Sequence, residues 1–272
     1  MVFTDLDGTL LDHHTYEYRA ALPGIEALKT HRIPLVMCTS KTLSECLEWQ
    51  KKIAIEGPIV YENGAGIALP KCDFPQKPLT AFDETDTHFL CGRSLAYKQV
   101  RDCVVALRKK HGYDFKGYGD FSTEDVMDIT GLPRAAAEQS RTRHHTEPLI
   151  WSDSPEAKRH FIQSLESAGF TTLQGGRFLH VTSHADKGSS MMVTAKYYID
   201  NEATLIALGD SPNDTAMLHR AQGAVVIRRH DNSWMPYTPT ENNRAVIKTQ
   251  GIGPIGWSEA ITHILTEEAL HG

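Results

Sequence analysis

The chain has 272 residues, 40% of them hydrophobic and 23% charged, and a formal charge of −6 at neutral pH. That length holds one large domain or two moderate ones, with enough apolar side chains for a buried core. The acidic balance speaks against a general nucleic-acid binder, which would carry a basic stripe, and no apolar stretch approaches the ~20 residues of a membrane span. Five cysteines (Cys38, Cys46, Cys72, Cys91 and Cys103), odd in number and without a Cys-x-x-Cys pair, fit reduced thiols better than a disulfide frame or a zinc site. The apolar start is too short for a signal peptide, so the expectation is a soluble cytoplasmic protein.

The first elements carry the chemistry. An apolar run, Met1-Val2-Phe3, leads to Asp5 and Asp7, with Gly8 directly after. In extended chain the side-chain period is two, so both carboxylates leave on one side, and Gly8 permits a sharp turn. Leu6-Asp7-Gly8-Thr9 also reads as a hairpin with Asp-Gly at its tip. A polar loop at Asp12-His13-His14-Thr15-Tyr16 precedes a helix over 20–31, a strand over 33–38 and a helix over 42–54. Gly57-Pro58 breaks that helix, and Ile59-Val60-Tyr61 reads as the next strand. Strands alternating with helices predict a doubly wound parallel sheet, an α/β fold whose ligands sit beyond the carboxyl ends of the strands.

Prolines at 70, 75 and 78 mark a change of character. The region that follows mixes helix-like stretches (95–111, 133–143, 155–168) with strand-like ones (112–118, 148–151, 177–182), which suggests an inserted α+β unit. The alternating pattern resumes with a helix over 187–200, a strand over 204–208, a helix over 214–221, a strand over 223–227 and a helix over 257–269. The expected division is therefore a core of 1–82 and 186–272 with an insert of 83–185.

Four features fall at strand ends or helix starts: Asp5-x-Asp7-Gly8-Thr9, Thr39-Ser40-Lys41, Lys187, and Gly209-Asp210-x-x-Asn213-Asp214. Phosphoryl transfer needs a nucleophile, a metal, and cations around the phosphoryl oxygens. Asp5 suits the nucleophile, the Thr39 hydroxyl a phosphoryl oxygen, and Lys187 the charge on the transferring group. Ser40 is an alternative to Thr39. Asp5 and Asp210, with a backbone carbonyl and waters, make an oxygen-only shell suited to Mg²⁺. Asp214 either caps the helix that follows or orients Lys187 or the metal's waters, and Asn213 is either part of that arrangement or a turn residue.

These features resemble the four motifs of the haloacid dehalogenase superfamily, in that superfamily's order and over nearly the whole chain. The insert and Glu62-Asn63-Gly64-Ala65 resemble its C2-capped branch. The resemblance implies that Asp5 is the nucleophile. It makes Asp7 the acid/base and gives Asp7 a second part, lending its backbone carbonyl to Mg²⁺. Further stretches are similar to the mannosyl-3-phosphoglycerate phosphatases: Asp5 to Tyr16, Cys38-Thr39-Ser40-Lys41-Thr42, Thr130-Gly131-Leu132-Pro133, Glu147-Pro148, Gly175-Gly176-Arg177-Phe178-Leu179-His180 and Gly253-Pro254-Ile255-Gly256-Trp257. The chain departs from that pattern at His144-His145 and at Ser183-His184-Ala185.

The expected partner is a small phosphorylated molecule, met by a monomer or homodimer. Lys41, Arg143, Arg177 and His180, with Ser40, are its candidate contacts, Arg143 being the choice for a carboxylate because a guanidinium grips one with two parallel bonds. The pairs His13-His14 and His144-His145 are sequence neighbours whose side chains diverge, which disfavours zinc and suggests loop residues near a polar substrate. The leading reading is a Mg²⁺-dependent phosphatase of a phosphorylated sugar acid. The resemblance implies mannosyl-3-phosphoglycerate, with glucosyl-3-phosphoglycerate or sucrose-phosphate types as alternatives. A phosphomutase shares the chemistry, and a non-catalytic sugar-phosphate sensor is the reading from another class.

Overall fold

The computed structural model describes the chain apart from residues 75, 79, 80, 82, 176, 184, 199–202 and 272 and the side chains of 267–271. In chain order the elements are β1 (Val2–Thr4), α1 (Leu22–Thr30), β2 (Leu35–Cys38), α2 (Leu43–Ile53), β3 (Ile59–Tyr61), β4 (Gly66–Pro70), β5 (Asp83–Glu84) and β6 (His88–Gly92). There follow α3 (Tyr97–His111), β7 (Phe115–Gly117), α4 (Thr123–Thr130), α5 (Arg134–Arg141), β8 (Glu147–Trp151), α6 (Pro155–Ser167), β9 (Thr171–Gln174) and β10 (Leu179–Thr182). The last are α7 (Lys187–Tyr198), β11 (Ile206–Gly209), α8 (Thr215–Arg220), β12 (Gly223–Arg228), β13 (Ala245–Ile252) and α9 (Pro254–His271). Among the described residues no helix is long and apolar enough to cross a membrane.

The chain groups into two compact units: Met1–Thr39 with Glu56–Val60 and Asp186–Gly272, and Ser40–Ile55 with Tyr61–Ala185. This grouping differs from the division expected at 82/83, because Ser40–Ile55 and the residues from Tyr61 onward make their contacts within the second unit. The Thr42 hydroxyl, for example, donates to the Gln139 carbonyl at 2.9 Å.

In the first unit the sheet runs β13-β12-β11-β1-β2-β3, every pair parallel. Phe3 lies beside Ala207 on one side and Val36 on the other. The chain builds outward from β1 through β2 and β3, then returns to the other edge of β1 with β11. The strand order therefore reverses beside β1, which is where open α/β sheets hold their ligands. The buried Trp257 of α9 fixes that centre. Its indole N–H donates to Thr4 Oγ1 at 2.9 Å, so the one polar atom of a large apolar group is satisfied.

The second unit holds the antiparallel strands β4, β6 and β5 and an antiparallel sheet in the order β7-β8-β10-β9. α3 and α6 bury Val100, Val104, Phe161 and Leu165 against Phe115, Leu149 and Val181 of that sheet. α4 had no expectation from sequence. It is eight residues long and begins at Ser122, whose hydroxyl accepts the Asp125 N–H at 3.0 Å. β13 was also unread: its short apolar run Ala245-Val246-Ile247 gives way to Lys248-Thr249-Gln250, and Thr249 alone of its residues is buried. The expected helix 187–200 ends at Tyr198, and residues 199 and 200 lie outside the described residues, as does Pro75 of the proline-marked stretch.

Candidate active site

Asp5 follows β1 where the chain leaves the sheet. Leu6, Leu10 and Leu11 are fully buried and anchor the turn that carries Asp7. The Leu11 N–H donates to the Leu6 carbonyl at 2.8 Å, and the Gly8 N–H to the Leu11 carbonyl at 2.9 Å. The return from Asp7-Gly8 is one isolated bridge, Asp7 to Leu11, and not the second strand of a hairpin. Gly8 has φ +84°, and a Cβ there would lie 2.8 Å from Asp210 Oδ2. Glycine thus meets both the backbone angle and the close approach of the loop after β11. Thr9, which the sequence reading left without a role, donates from Oγ1 to Asp210 Oδ1 at 2.9 Å.

Lys187 opens α7. The Asp186 carboxylate accepts the Ser189 N–H at 2.7 Å and caps this helix start. A cation in the first turn is disfavoured by the helix dipole. Here the ammonium is fully buried and shared between Asp5 Oδ1 and Asp214 Oδ1, each at 2.6 Å. Gly188 makes that position reachable: a Cβ would meet the Ala216 carbonyl at 2.1 Å, so only glycine lets α7 approach α8 this closely. Asp214 Oδ2 accepts the N–H groups of Asp210 and Ser211, each at 3.0 Å. Its side chain makes no capping bond into α8. Asn213 accepts the Ser211 hydroxyl within the same turn.

Burial raises the Asp5 pKa to about 7 against the pull of Lys187, and the neighbouring Asp214 and Asp7 charges push it the same way. Burial, then Asp214 and Asp5, raise Asp210 well above the carboxylate range. Burial opposes the Lys187 charge, yet Asp214 and Asp5 together hold its ammonium above the ordinary lysine range. One lysine therefore faces Asp5, Asp210 and Asp214, whose carboxylate oxygens lie within 4.8 Å of one another. The surplus is negative, and a divalent cation fits it. Asp214 is already taken by Lys187 and two backbone N–H groups, so Asp5 and Asp210 are the carboxylates that would hold the ion. An all-oxygen set suits a hard cation.

Thr39 lies buried at the carboxyl end of β2, its N–H on the Val60 carbonyl at 3.0 Å. The Cys38 thiol packs on the Lys187 carbonyl at 3.8 Å, and burial raises its pKa, which makes it an inert core group. Arg229 was also missed. It follows β12, and its Nε donates to the Asp210 carbonyl at 2.7 Å. The signal available was position alone, since residues just past a strand's carboxyl end face the site.

The remaining expected contacts belong to the second unit. Lys41 is buried with its ammonium 3.8 Å from Glu45. His180 is buried on β10, and the exposed Arg177 donates to the Ile129 carbonyl. Arg143 differs from its expected role as a carboxylate clamp. Its side chain is 4% exposed. Nε donates to Thr146 Oγ1 at 2.9 Å, Nη1 to the Ser140 carbonyl at 3.2 Å and Nη2 to the Ser40 carbonyl at 2.9 Å. With all three nitrogens engaged, it is a brace inside the unit. The backbone of His144 and His145 is likewise engaged within the unit. The fully buried Glu62 carboxylate accepts the N–H groups of His144, His145 and Thr146 at 2.7, 3.0 and 2.8 Å. The His145 ring lies on the Leu95 carbonyl at 3.0 Å. Glu62 itself has φ 49°, a left-handed angle rare for a glutamate, and three backbone donors on one carboxylate offset its strain.

The profile of the haloacid dehalogenase-like hydrolases matches residues 2–233. Over 267 residues the chain is 33% identical to the glucosyl-3-phosphoglycerate/mannosyl-3-phosphoglycerate phosphatase of Methanococcoides burtonii, with 97% of each chain covered. Over 271 residues it is 33% identical to the protein of the same name from Persephonella marina, covering 98% of this chain and 97% of the other. Among solved structures, the sucrose-phosphatase of Synechocystis in complex with sucrose and phosphate aligns with a TM-score of 0.61 over 96% of both chains. At 14% identity that likeness is one of fold.

Proposed function

Since the chain belongs to the haloacid dehalogenase-like hydrolases, we propose that it is a Mg²⁺-dependent phosphatase of a phosphorylated sugar acid, with mannosyl-3-phosphoglycerate or glucosyl-3-phosphoglycerate as substrate. It is a phosphoric monoester hydrolase. The observation that carries the reading is the buried Lys187 ammonium held between Asp5 and Asp214 at 2.6 Å. That contact fixes one Asp5 oxygen and leaves the other to attack phosphorus.

In the first step a bond forms from Asp5 to phosphorus and the ester P–O bond breaks, while Asp7 gives its proton to the departing alkoxide. In the second, water attacks the aspartyl-phosphate, Asp7 takes the water's proton, and Asp5 is released with inorganic phosphate. Lys187 and the Thr39 hydroxyl hold phosphoryl oxygens in both steps. Asp5, Asp210 and the Asp7 carbonyl would hold Mg²⁺, which would supply positive charge toward the phosphoryl group. Monoester hydrolysis is among the slowest uncatalysed reactions, with enhancements up to ~10²¹-fold, so no single one of these groups suffices. Residues 1–82 and 186–272 serve as the catalytic core in this reading and 83–185 as a cap. Ser40, Lys41, Arg177 and His180 stay as substrate contacts, and Arg143 does not. The protein works in the cytoplasm as a monomer or homodimer.

Phosphate release from a panel of sugar phosphates and glycosyl-phosphoglycerates, with Mg²⁺ and with EDTA, tests the reading. The expected result is release from the glycosyl-phosphoglycerates that EDTA abolishes and Mg²⁺ restores. Full activity in well-chelated buffer, or a preference for esters lacking a carboxylate, overturns it.

A further inference from the structure

A substrate with a phosphate and a carboxylate needs a second cationic contact, and Arg143, the residue that sequence suggested, is engaged elsewhere. Another guanidinium lies at the site itself. Arg229 is half-buried just past β12, and its Nε donates to the Asp210 carbonyl at 2.7 Å. Among the described residues, neither of its Nη groups has a hydrogen-bond partner. The adjacent Arg228 is different: it bonds the Asn232 and Gln250 carbonyls and lies over the Trp234 ring. Of two consecutive arginines, one is built into the wall, and the other is tied to the Asp210 backbone by Nε alone, with Asp231 in electrostatic reach of its guanidinium.

The next residue extends this edge. The His230 ring stacks on His13 with centroids 4.4 Å apart and meets His14 edge-on at 4.6 Å, and His13 and His14 lie 4.9 Å apart. Loop 12–16 and the turn after β12 are thereby joined by three exposed imidazoles. Partial burial and then the proximity of His230 and His14 lower the His13 pKa, with Asp7 and Asp12 acting the other way. An anion placed there can meet ring N–H donors from three imidazoles. The neighbouring carboxylates are occupied. Asp231 accepts the Ser233 N–H and hydroxyl at 2.9 and 2.6 Å. Asp12 accepts the N–H groups of His14 and Thr15 at 3.0 and 2.8 Å.

We propose that the Arg229 guanidinium, edged by His13, His14 and His230, binds the carboxylate of the substrate. The assignment rests on the phosphorylated sugar-acid reading above. In a phosphoglycerate ester the carboxylate is only a few bonds from phosphorus. A cation tied to the backbone of Asp210 therefore stands where the second anion arrives once the phosphate is held. The planar fork suits two parallel bonds to a carboxylate.

The test compares glucosyl-3-phosphoglycerate with sn-glycerol 3-phosphate, which has no carboxylate, in wild type, Arg229→Met and Arg229→Lys. The readout is the ratio of the two kcat/KM values, since loss of the Asp210 contact slows both reactions. Arg229→Met should lower that ratio by about ten- to a hundredfold, mostly through KM, and Arg229→Lys should recover part of it. His13→Ala, His14→Ala and His230→Ala should each lower it a few-fold. Equal loss on both esters means that Arg229 only supports Asp210, and the proposal is overturned. Calorimetric titration with D-glycerate gives a second readout: binding should weaken in Arg229→Met, and unchanged binding also overturns it. If wild type shows no preference for the carboxylated ester, the substrate reading fails on its own, and the D-glycerate titration still decides the role of Arg229.

Discussion

Asp5→Asn should abolish turnover and, in metal-free protein, raise stability. Asp5 is 5% exposed, and its pKa stands at about 7 instead of 3.8 because burial and two neighbouring carboxylates outweigh Lys187. At ~1.4 kcal/mol per pH unit, that gap sets a ceiling of ~4 kcal/mol on what ionised Asp5 takes from the fold. Asparagine keeps an acceptor for the Lys187 ammonium but loses the ion pair, so a gain of ~2 kcal/mol is expected, or ~4–8 °C in Tm for a chain of this size. The sign with pH follows from linkage. Below ~4 the carboxyl group is neutral folded and unfolded, and the two proteins match. Between ~4 and about 7 the unfolded chain loses its proton first, so wild type loses stability as pH rises, and above about 7 the deficit is constant. The assay is unfolding followed by tryptophan fluorescence in EDTA at several pH values from 5 to 8. Saturating Mg²⁺ should narrow or reverse the difference, because the ion binds only folded wild type strongly. A variant less stable than wild type at pH 8 in EDTA, or a difference that does not change with pH, would refute the reasoning.

Asp214→Asn takes one charge from the buried Lys187 ammonium and sets the amide N–H₂ against either that ammonium or the N–H groups of Asp210 and Ser211. We expect a loss of ~3–5 kcal/mol in denaturant unfolding together with a large fall in kcat, and an unchanged midpoint would contradict this. Glu62→Gln puts an N–H₂ among the three backbone donors of residues 144–146. It should lower stability by ~2–4 kcal/mol and speed proteolysis near 143–146, whereas a wild-type cleavage pattern would make Glu62 dispensable. Burial works against the Asp120 charge, but bonds from Arg108, Arg101 and the Gly117 N–H win and hold its pKa far below the usual range. That stability is present above ~4 and lost as pH falls below it, so Asp120→Asn should unfold earlier at neutral pH while nearing wild type below pH 3.

The gathering of the central side chains was legible because each motif residue follows an apolar run or opens a helix. Position in a parallel sheet then sends it to one edge. Asp5, Lys187, Asp210 and Asp214 meet for that reason. Arg143 was misjudged because charge and spacing carry no information on burial, and its partners are the carbonyls of Ser40 and Ser140, atoms every residue has. Glu62 could be flagged as part of a signature, but its role depends on backbone N–H groups more than eighty positions away. His13 and His14 were expected to diverge as sequence neighbours, but their rings meet edge-on at 4.9 Å, and His230, brought in by the turn after β12, completes a cluster that no sequence spacing announces.

The central place of β1 has a kinetic consequence. Asp5 and Lys187 are 182 positions apart, and Thr9 and Asp210 are 201 apart. At ~5–20 residues per second a ribosome needs ~10–40 s to supply the second partner after the first. Through that interval β1 can pair with β2, but its other edge presents bare N–H and carbonyl groups to the cell, the situation that invites wrong strand pairing. Nor can Trp257, 253 positions beyond Thr4, lock the strand until synthesis reaches α9. Asp5 is thus made long before the residues that surround it, so a chain halted before β11 carries a complete Asp5-x-Asp7 motif without Asp210 and Asp214 beside it.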